Sequence, residues 1–273
     1  QRVTRRKPII ADKSGRTEAG ARAAFSHTGS LAGGDVASST LFDQCGVLRD
    51  NTIEELFTLA TAFTSQPLPR GNRVALLTNA GGPAIMATDA AVTLGLTLAP
   101  LEEKTRRILR KKLPPECSVA NPVDLIASAD ADRYAVGLKA LLADATVDGL
   151  MVLFVAPTMI NSREVAKTVV RYSRRSRKPV LTCFMGRDRG AEGVQTLRDH
   201  SIPVYSFPEE SAQAMAAMHR YRLIRERKRG RRIRFRVNRR RVASLMSRVR
   251  KSKRLQLSLQ ESQDVLAAYG FPQ

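Results

Sequence analysis

From Asn72 onward, short runs of consecutive apolar residues alternate with stretches of helical periodicity, and this alternation restricts the chain to a parallel α/β sheet. The runs at 74–78, 149–155, 180–184 and 204–205 are mostly unbroken by polar residues, as strands covered by helices on both faces must be. Helices are predicted between them at about 82–95, 102–112, 131–143, 162–174 and 190–199, with a last one from about 209 to 227. Ligands of such sheets sit beyond the carboxyl ends of the strands. Here the first turn at that edge is Thr78-Asn79-Ala80-Gly81-Gly82-Pro83, directly after a strand and opening a helix. It has the context of a phosphate-binding glycine loop, although it matches neither the Walker pattern nor the dinucleotide fingerprint. The same residues would also serve a tight strand-to-helix turn with Pro83 at the first helical position.

Ahead of this region, residues 8–13 read as a strand and Ser14-Gly15-Arg16 as a turn. Then comes Ser26-His27-Thr28-Gly29-Ser30-Leu31-Ala32-Gly33-Gly34-Asp35, read as a loop feeding a helix that begins near Ser30 and ends near Cys45-Gly46. A helix N-terminus offers unpaired N–H groups and a positive dipole end, and glycines permit close approach of a phosphoryl group. A histidine there could hold that group covalently, as a nucleophile. A surface turn residue is the plainer reading of one histidine among Ser, Thr and Gly. Val47-Leu48 suggests a brief strand, and Thr52 with Glu55 three residues later starts a helix. Pro67-Leu68-Pro69-Arg70-Gly71 marks a domain boundary, and what precedes it is too short for a complete α/β domain.

The 273 residues allow about two domains, and no apolar run approaches the roughly 20 residues that span a bilayer. Cys45, Cys117 and Cys183 show neither a disulfide framework nor metal-ligand spacing, which fits reduced thiols in a cytoplasm. The net charge of +21 is concentrated: from Arg220 to Arg254 there are 18 Lys/Arg and one acid, Glu226, leaving +4 for the remaining 238 residues. A solvated basic linker and helix is the simpler reading of this excess; a surface for nucleic acid or another polyanion is the other. Tyr221 and Phe235 are too few aromatics for a base-stacking platform.

Asn121-Pro122-Val123-Asp124-Leu125 forms a third motif, for which shaping a turn or capping a helix is the ordinary role. His200 and His219 have no comparable setting and read as structural or solvated, and Met215 and Met218 as core packing. Ser258 to Pro272 reads as a capped amphipathic helix ending at glycine and proline.

The run Lys7-Pro8-Ile9-Ile10 through Lys13-Ser14-Gly15-Arg16-Thr17-Glu18-Ala19-Gly20 to Ser26-His27-Thr28-Gly29 resembles the phosphohistidine segment of ADP-forming acyl-CoA synthetases, in the succinyl-CoA ligase superfamily. The resemblance covers most of residues 7–226 and again 258–272. It implies an α/β fold of flavodoxin-like, succinyl-CoA synthetase-like parallel sheets with helices on both faces, plus a basic helical C-terminal segment. The domains implied are 1–66, the C-terminal part of a flavodoxin-like domain carrying the phosphohistidine loop; 67–227, a complete flavodoxin-like ligase domain; 228–257, a basic linker and helix; and 258–273, the first helix of a truncated ATP-grasp domain.

By the same resemblance His27 is the phosphorylated histidine, with Ser26, Thr28, Gly29, Ser30, Asn79, Gly81 and Gly82 around the phosphate. Two helix N-termini, near Ser30 and Pro83, point at it. Asn121 would be a supporting donor, and Asp124 would orient a backbone amide or the histidine ring. The family usually has Gly where this chain has Ala84. Acyl-CoA and phosphate would give an acyl phosphate, neutral His27 would take the phosphoryl group, and ADP would receive it. CoA, ATP/ADP and Mg²⁺ are the implied cofactors, bound mainly by CoA-binding and ATP-grasp domains of the same polypeptide or of a partner subunit. No metal site is expected in this chain, and the fragment alone is expected to be inactive. A small carboxylic acid substrate, an oligomer and no membrane partner complete the expectation. Two alternatives are the synthetase-like regulatory region of a protein lysine acetyltransferase, which has no need of a phosphoryl acceptor such as His27, and a non-catalytic scaffold using the basic segment.

Overall fold

The computed structural model describes residues 2–28, 34–228 and 237–271. They form two compact units, residues 1–227 and 228–273.

The first unit begins with strand β1 (Ile10–Asp12), helix α1 (Glu18–Thr28), helix α2 (Asp35–Cys45), strand β2 (Leu48–Asp50) and helix α3 (Ile53–Ser65). Strands β1 and β2 pair in parallel, Ile10 with Leu48 and Asp12 with Asp50. Gly46 ends α2 in the left-handed region at φ 73°, where a side chain would be strained, and a Cβ there would also lie 2.5 Å from Ile224 Cγ2. Thr52 caps α3 by accepting from the Glu55 amide, while the Glu55 carboxylate returns to the Asn51 amide.

Then follow β3 (Arg73–Thr78), α4 (Gly81–Thr93), β4 (Thr97–Leu98), α5 (Glu103–Lys112), β5 (Val123–Asp124), α6 (Ala131–Ala143), β6 (Gly149–Val155), α7 (Ser162–Ser173), β7 (Val180–Met185), α8 (Arg187–Asp199), β8 (Val204–Tyr205) and α9 (Pro208–Glu226). The strands form one parallel sheet in the order β4-β3-β6-β7-β8, with β5 beside β3 beyond β4. This is the 2-1-3-4-5 order of a flavodoxin-like fold. One core face packs Leu77, Leu150, Val152 and Phe154 against α6 and α7; the other packs Leu76, Met151 and Leu153 against α4 and α9. The four strands expected from apolar runs are present, joined by two-residue β4 and β5, which carry too little pattern to be read.

Helix α9 ties the N-terminal segment to this sheet. It packs on α3, with Phe63 and Tyr221 edge to face at 5.5 Å, and the Tyr205 hydroxyl donates to the Thr58 carbonyl. The second unit holds α10 (Arg239–Lys251) and α11 (Leu259–Ala268). No described helix is long and apolar enough to cross a membrane.

Asp50, at the carboxyl end of β2, is 3% exposed, and its Oδ2 has no hydrogen-bond partner among the described residues. Burial, then the charges of Glu55 and Asp12, push its carboxyl up to about 6. The folded chain thus holds this proton more tightly than the unfolded chain, so the contribution of this one group to stability is greatest in acid and is lost as pH rises from the ordinary carboxylate range through about 6. Replacing Asp50→Asn is expected to remove that decline and to add about 1–2 kcal/mol at pH 7.5, after allowance for solvent screening. Urea melts from pH 4.5 to 8 test this; equal pH slopes in the two proteins would refute it.

Candidate functional site

The site is built at the carboxyl edge of β3. Buried Thr78 closes the turn on itself: its Oγ1 accepts from the Ala80 amide at 2.9 Å and donates to the Ala80 carbonyl at 3.0 Å. Helix α4 then starts at Gly81 with no side chain capping it, and Pro83 has no N–H to offer. The donors of the first turn are therefore the amides of Gly81 and Gly82, both exposed, at the positive end of the helix dipole. A Cβ on Gly82 would meet nothing within 4 Å, and one on Gly81 only Asp124 Oδ2 at 3.7 Å. Packing inside the chain does not require glycine here; what the glycines leave is an open approach to two amides. The Ala84 methyl group is buried in the core with Ala87 and Ala91 and stays out of that approach.

Two asparagines hold this edge in place. Asn79, 2% exposed, pairs with the backbone of Val155 in both directions, Nδ2 donating to the carbonyl and Oδ1 accepting from the amide, each at 2.9 Å. Its side chain thus extends the β3–β6 ladder one step beyond the strands. Asn121 fills the gap between the end of β4 and the start of β5: Nδ2 donates to Val74 O at 2.8 Å and Ala99 O at 3.1 Å, and Oδ1 accepts from the Leu76 amide at 3.0 Å. The peptide that follows, Asn121-Pro122, is cis. The donor role toward phosphate expected for Asn121 is corrected by this geometry, because both of its amide protons are already committed to carbonyl groups; the Asn79 side chain is buried and engaged with Val155 through both of its polar atoms. Asp124 lies beside Thr78 in register; its Oδ1 accepts from the Ile126 amide at 2.9 Å, within the expected task of orienting a backbone amide. Its second oxygen lies alongside Gly81.

The histidine segment differs from the expected loop. Ser26, His27 and Thr28 form the last turn of α1, an eleven-residue helix, and Ser26 Oγ donates back to Ala23 O at 2.8 Å rather than into a loop. Thr17 starts this helix, accepting from Gly20 N through its hydroxyl and from Ala21 N through its carbonyl. None of the described side chains of α1 is fully buried, so it lacks the apolar stripe by which a helix is recognised. Gly29 and Ser30 lie outside the described residues, as do the side chains of His27 and Thr28. Helix α2 begins at Asp35, not near Ser30, and its first turn already holds an anion: Asp35 is paired with Arg49, which also bonds Ser39 and keeps the Asp35 carboxyl below its usual range. Sequence reasoning passed over this pair and the closing role of Thr78; a threonine directly before the asparagine was the available signal for the latter.

The remaining reactive groups do not join the site. Burial pushes the Cys183 thiol up to about 12, His200 Nδ1 lies 2.8 Å from Thr196 O at the end of α8, and burial lowers the basicity of His219 on α9. Among the described residues no group of three or more His, Cys, Asp or Glu side chains could hold a metal ion.

Residues 74–229 match the Ligase-CoA domain, and residues 1–63 match the succinyl-CoA ligase like flavodoxin domain. The chain belongs to the Ligase-CoA family. Its glycine turn, both asparagine clamps and Asp124 all fall within the Ligase-CoA match, and His27 within the other. The chain is 46% identical over 222 residues to the alpha subunit of acetate–CoA ligase [ADP-forming] II of Pyrococcus furiosus, covering 80% of this chain and 48% of the relative. It is 36% identical over 267 residues to 4-hydroxybutyrate–CoA ligase [ADP-forming] of Nitrosopumilus maritimus, covering 98% of this chain and 38% of that protein. A solved acetyl-coenzyme A synthetase 1 of Ca. Korarchaeum cryptofilum, in complex with phosphate and ADP, superposes with a TM-score of 0.78 at 38% identity, covering 82% of this chain and 49% of the other. The chain thus spans half or less of the length of these proteins.

In this Ligase-CoA edge, Asn79→Asp preserves shape and the bond from Val155 N but sets a carboxylate oxygen against the Val155 carbonyl. It is expected to cost about 2 kcal/mol at pH 7, with part of the loss recovered in acid, where a protonated carboxyl can donate again. Denaturant melts at pH 7 and pH 4 measure this; a variant as stable as the parent at pH 7 would contradict the clamp.

Proposed function

We propose that this chain is the phosphoryl-relay portion of an ADP-forming acyl-CoA synthetase, interconverting acyl-CoA, ADP and phosphate with a carboxylic acid, CoA and ATP. The observation that carries the reading is the uncapped, open N-terminus of α4, held in a family whose Korarchaeum relative was solved with phosphate and ADP. Phosphate displaces the CoA thiol from the acyl group, giving an acyl phosphate. An imidazole nitrogen of His27 attacks phosphorus, the bond from phosphorus to the acyl oxygen breaks, and the acid leaves as carboxylate. The phosphohistidine P–N bond then breaks as the terminal oxygen of ADP takes the phosphoryl group. In each transfer the amides of Gly81 and Gly82 receive the phosphoryl oxygens, spreading negative charge over the helix end without a countercharged side chain. Thr28, Gly29 and Ser30 belong to the other wall of this phosphate pocket, with Asn79, Asn121 and Asp124 as its supports.

CoA supplies the thiol, and Mg²⁺ accompanies the nucleotide to neutralise its phosphates. In this reading CoA and nucleotide are held mainly by CoA-binding and ATP-grasp parts, in the same polypeptide or in a partner subunit of an oligomer. Residues 1–66 are the carboxyl part of a first flavodoxin-like domain, 67–227 the complete ligase domain, 228–257 a linker and 258–273 the first helix of the ATP-grasp part. Val36 and Leu41, 80% and 56% exposed on α2, are then covered by the rest of the first domain. The setting is cytoplasmic.

With the nucleotide-binding part present, Mg-ATP is expected to leave an acid-labile phosphoryl group on His27 that His27→Ala abolishes; nucleotide binding without any adduct would refute the relay. Gly82→Ala separates site from scaffold. It should leave folding stability unchanged or up to about 1 kcal/mol higher. Adduct formation should slow by roughly 2–30-fold, equivalent to about 0.3–2 kcal/mol of helix-end interaction. An unchanged rate would remove the α4 terminus from the mechanism.

A further inference from the structure

The second unit carries a feature the synthetase reading does not use. Residues 228–273 contain 14 Lys/Arg, 11 of them Arg, against two acids, Glu261 and Asp264. Both acids are already engaged: Asp264 pairs with Arg241 at 2.8 Å, and Glu261 takes both guanidinium nitrogens of Arg254 at 2.7 and 2.9 Å. The opposite face of α10 keeps its charge. Arg239 and Arg240 at one end and Arg248, Arg250 and Lys251 at the other are exposed, and none has an ion pair among the described residues. Between these clusters the exposed residues are Ala243, Ser244 and Ser247, which are small, with Met246 partly exposed beside them.

The geometry points to this face of α10 as a docking surface for double-stranded nucleic acid, bound through its phosphates without base readout. Three observations select that partner. The apolar side of α10 is taken, with Leu245 and Val249 2% and 5% exposed and α11 packed on the helix, so α10 itself offers a partner charge rather than an apolar stripe for a lipid surface; the apolar residues the unit does expose, Leu255, Leu259, Leu266 and Phe271, lie on or beside α11. The cations are mostly guanidinium groups, whose fork fits phosphate oxygens two at a time. The two clusters lie about 16 Å apart along the helix, enough to reach the phosphate ridges on either side of a major groove about 12 Å wide while the small middle residues face the groove. With Phe235, Tyr269 and Phe271 the only aromatics of the unit, stacking on unpaired bases contributes little.

The test is fluorescence anisotropy of a short labelled duplex of arbitrary sequence with the whole chain, between 50 and 200 mM salt. Five phosphate contacts predict an affinity falling about 500-fold over that range. The quadruple variant Arg239→Gln, Arg240→Gln, Arg250→Gln and Lys251→Gln should reduce this to about fourfold, with α10 retained by circular dichroism. A control removes the same charge from the first unit, with Arg70→Gln, Lys139→Gln, Arg175→Gln and Arg177→Gln. A steep salt dependence lost in the first variant and kept in the control supports the surface. No binding at 50 mM salt, an equal loss in the control, tighter binding to the single strand, or tighter binding to vesicles of anionic lipid would each overturn it.

Discussion

Two side-chain amides, Asn79 and Asn121, stand in for backbone at the edge where the glycine turn is held. A parallel strand must satisfy its N–H and C=O groups on both sides, and β3 lacks a neighbouring strand along the middle of one side: β4 stops at Leu98, opposite Val74, and β5 starts only at Val123, opposite Leu77. Asn121 supplies the missing donors and acceptor on one side, and Asn79 continues the ladder to Val155 on the other. With both bonded, the turn after Thr78 has little freedom, and the first amides of α4 are presented without a side chain of the protein's own to consume them. The glycines are then the consequence of an approach that must stay open, since neither position is crowded from within.

Much of this was legible in advance, for particular reasons. The unbroken apolar runs of β3, β6 and β7 follow from coverage on both faces, and the Gly46 stop and Thr52 cap follow from local backbone chemistry that tertiary structure did not override. Helix α1 escaped because its described side chains bury no stripe against the rest of the chain; Ala21, Ala23 and Ala24 favour a helix without marking a face. The short strands β4 and β5 are made by register with β3, a long-range property. The tasks of Asn79 and Asn121 were hidden for the same reason: an asparagine beside a glycine turn or a proline reads as a turn former, and only the assembled sheet shows which carbonyls its amide meets.

Charge is divided as unevenly as structure. In the first unit Asp148 pairs with Arg73, and Asp144 accepts from the Glu102 and Thr146 amides, while Asp50 is buried among other acids. The second unit has two acids for fourteen cations and cannot neutralise itself. A helix that buries its apolar side and leaves guanidinium groups unpaired on the other is stable only because water solvates them, which is also the condition under which a polyanion can replace that water.

Whether the open end of α4 receives a phosphoryl group, as proposed, is read most plainly by amide-resolved NMR of the chain titrated with inorganic phosphate. The prediction is saturable shifts at the Gly81 and Gly82 amides, weakened in Gly82→Ala while the amides of Leu76 and Val155, held by the asparagines, stay in place. Gly81 and Gly82 signals unmoved by phosphate, with shifts confined to the basic residues of the second unit, would contradict it.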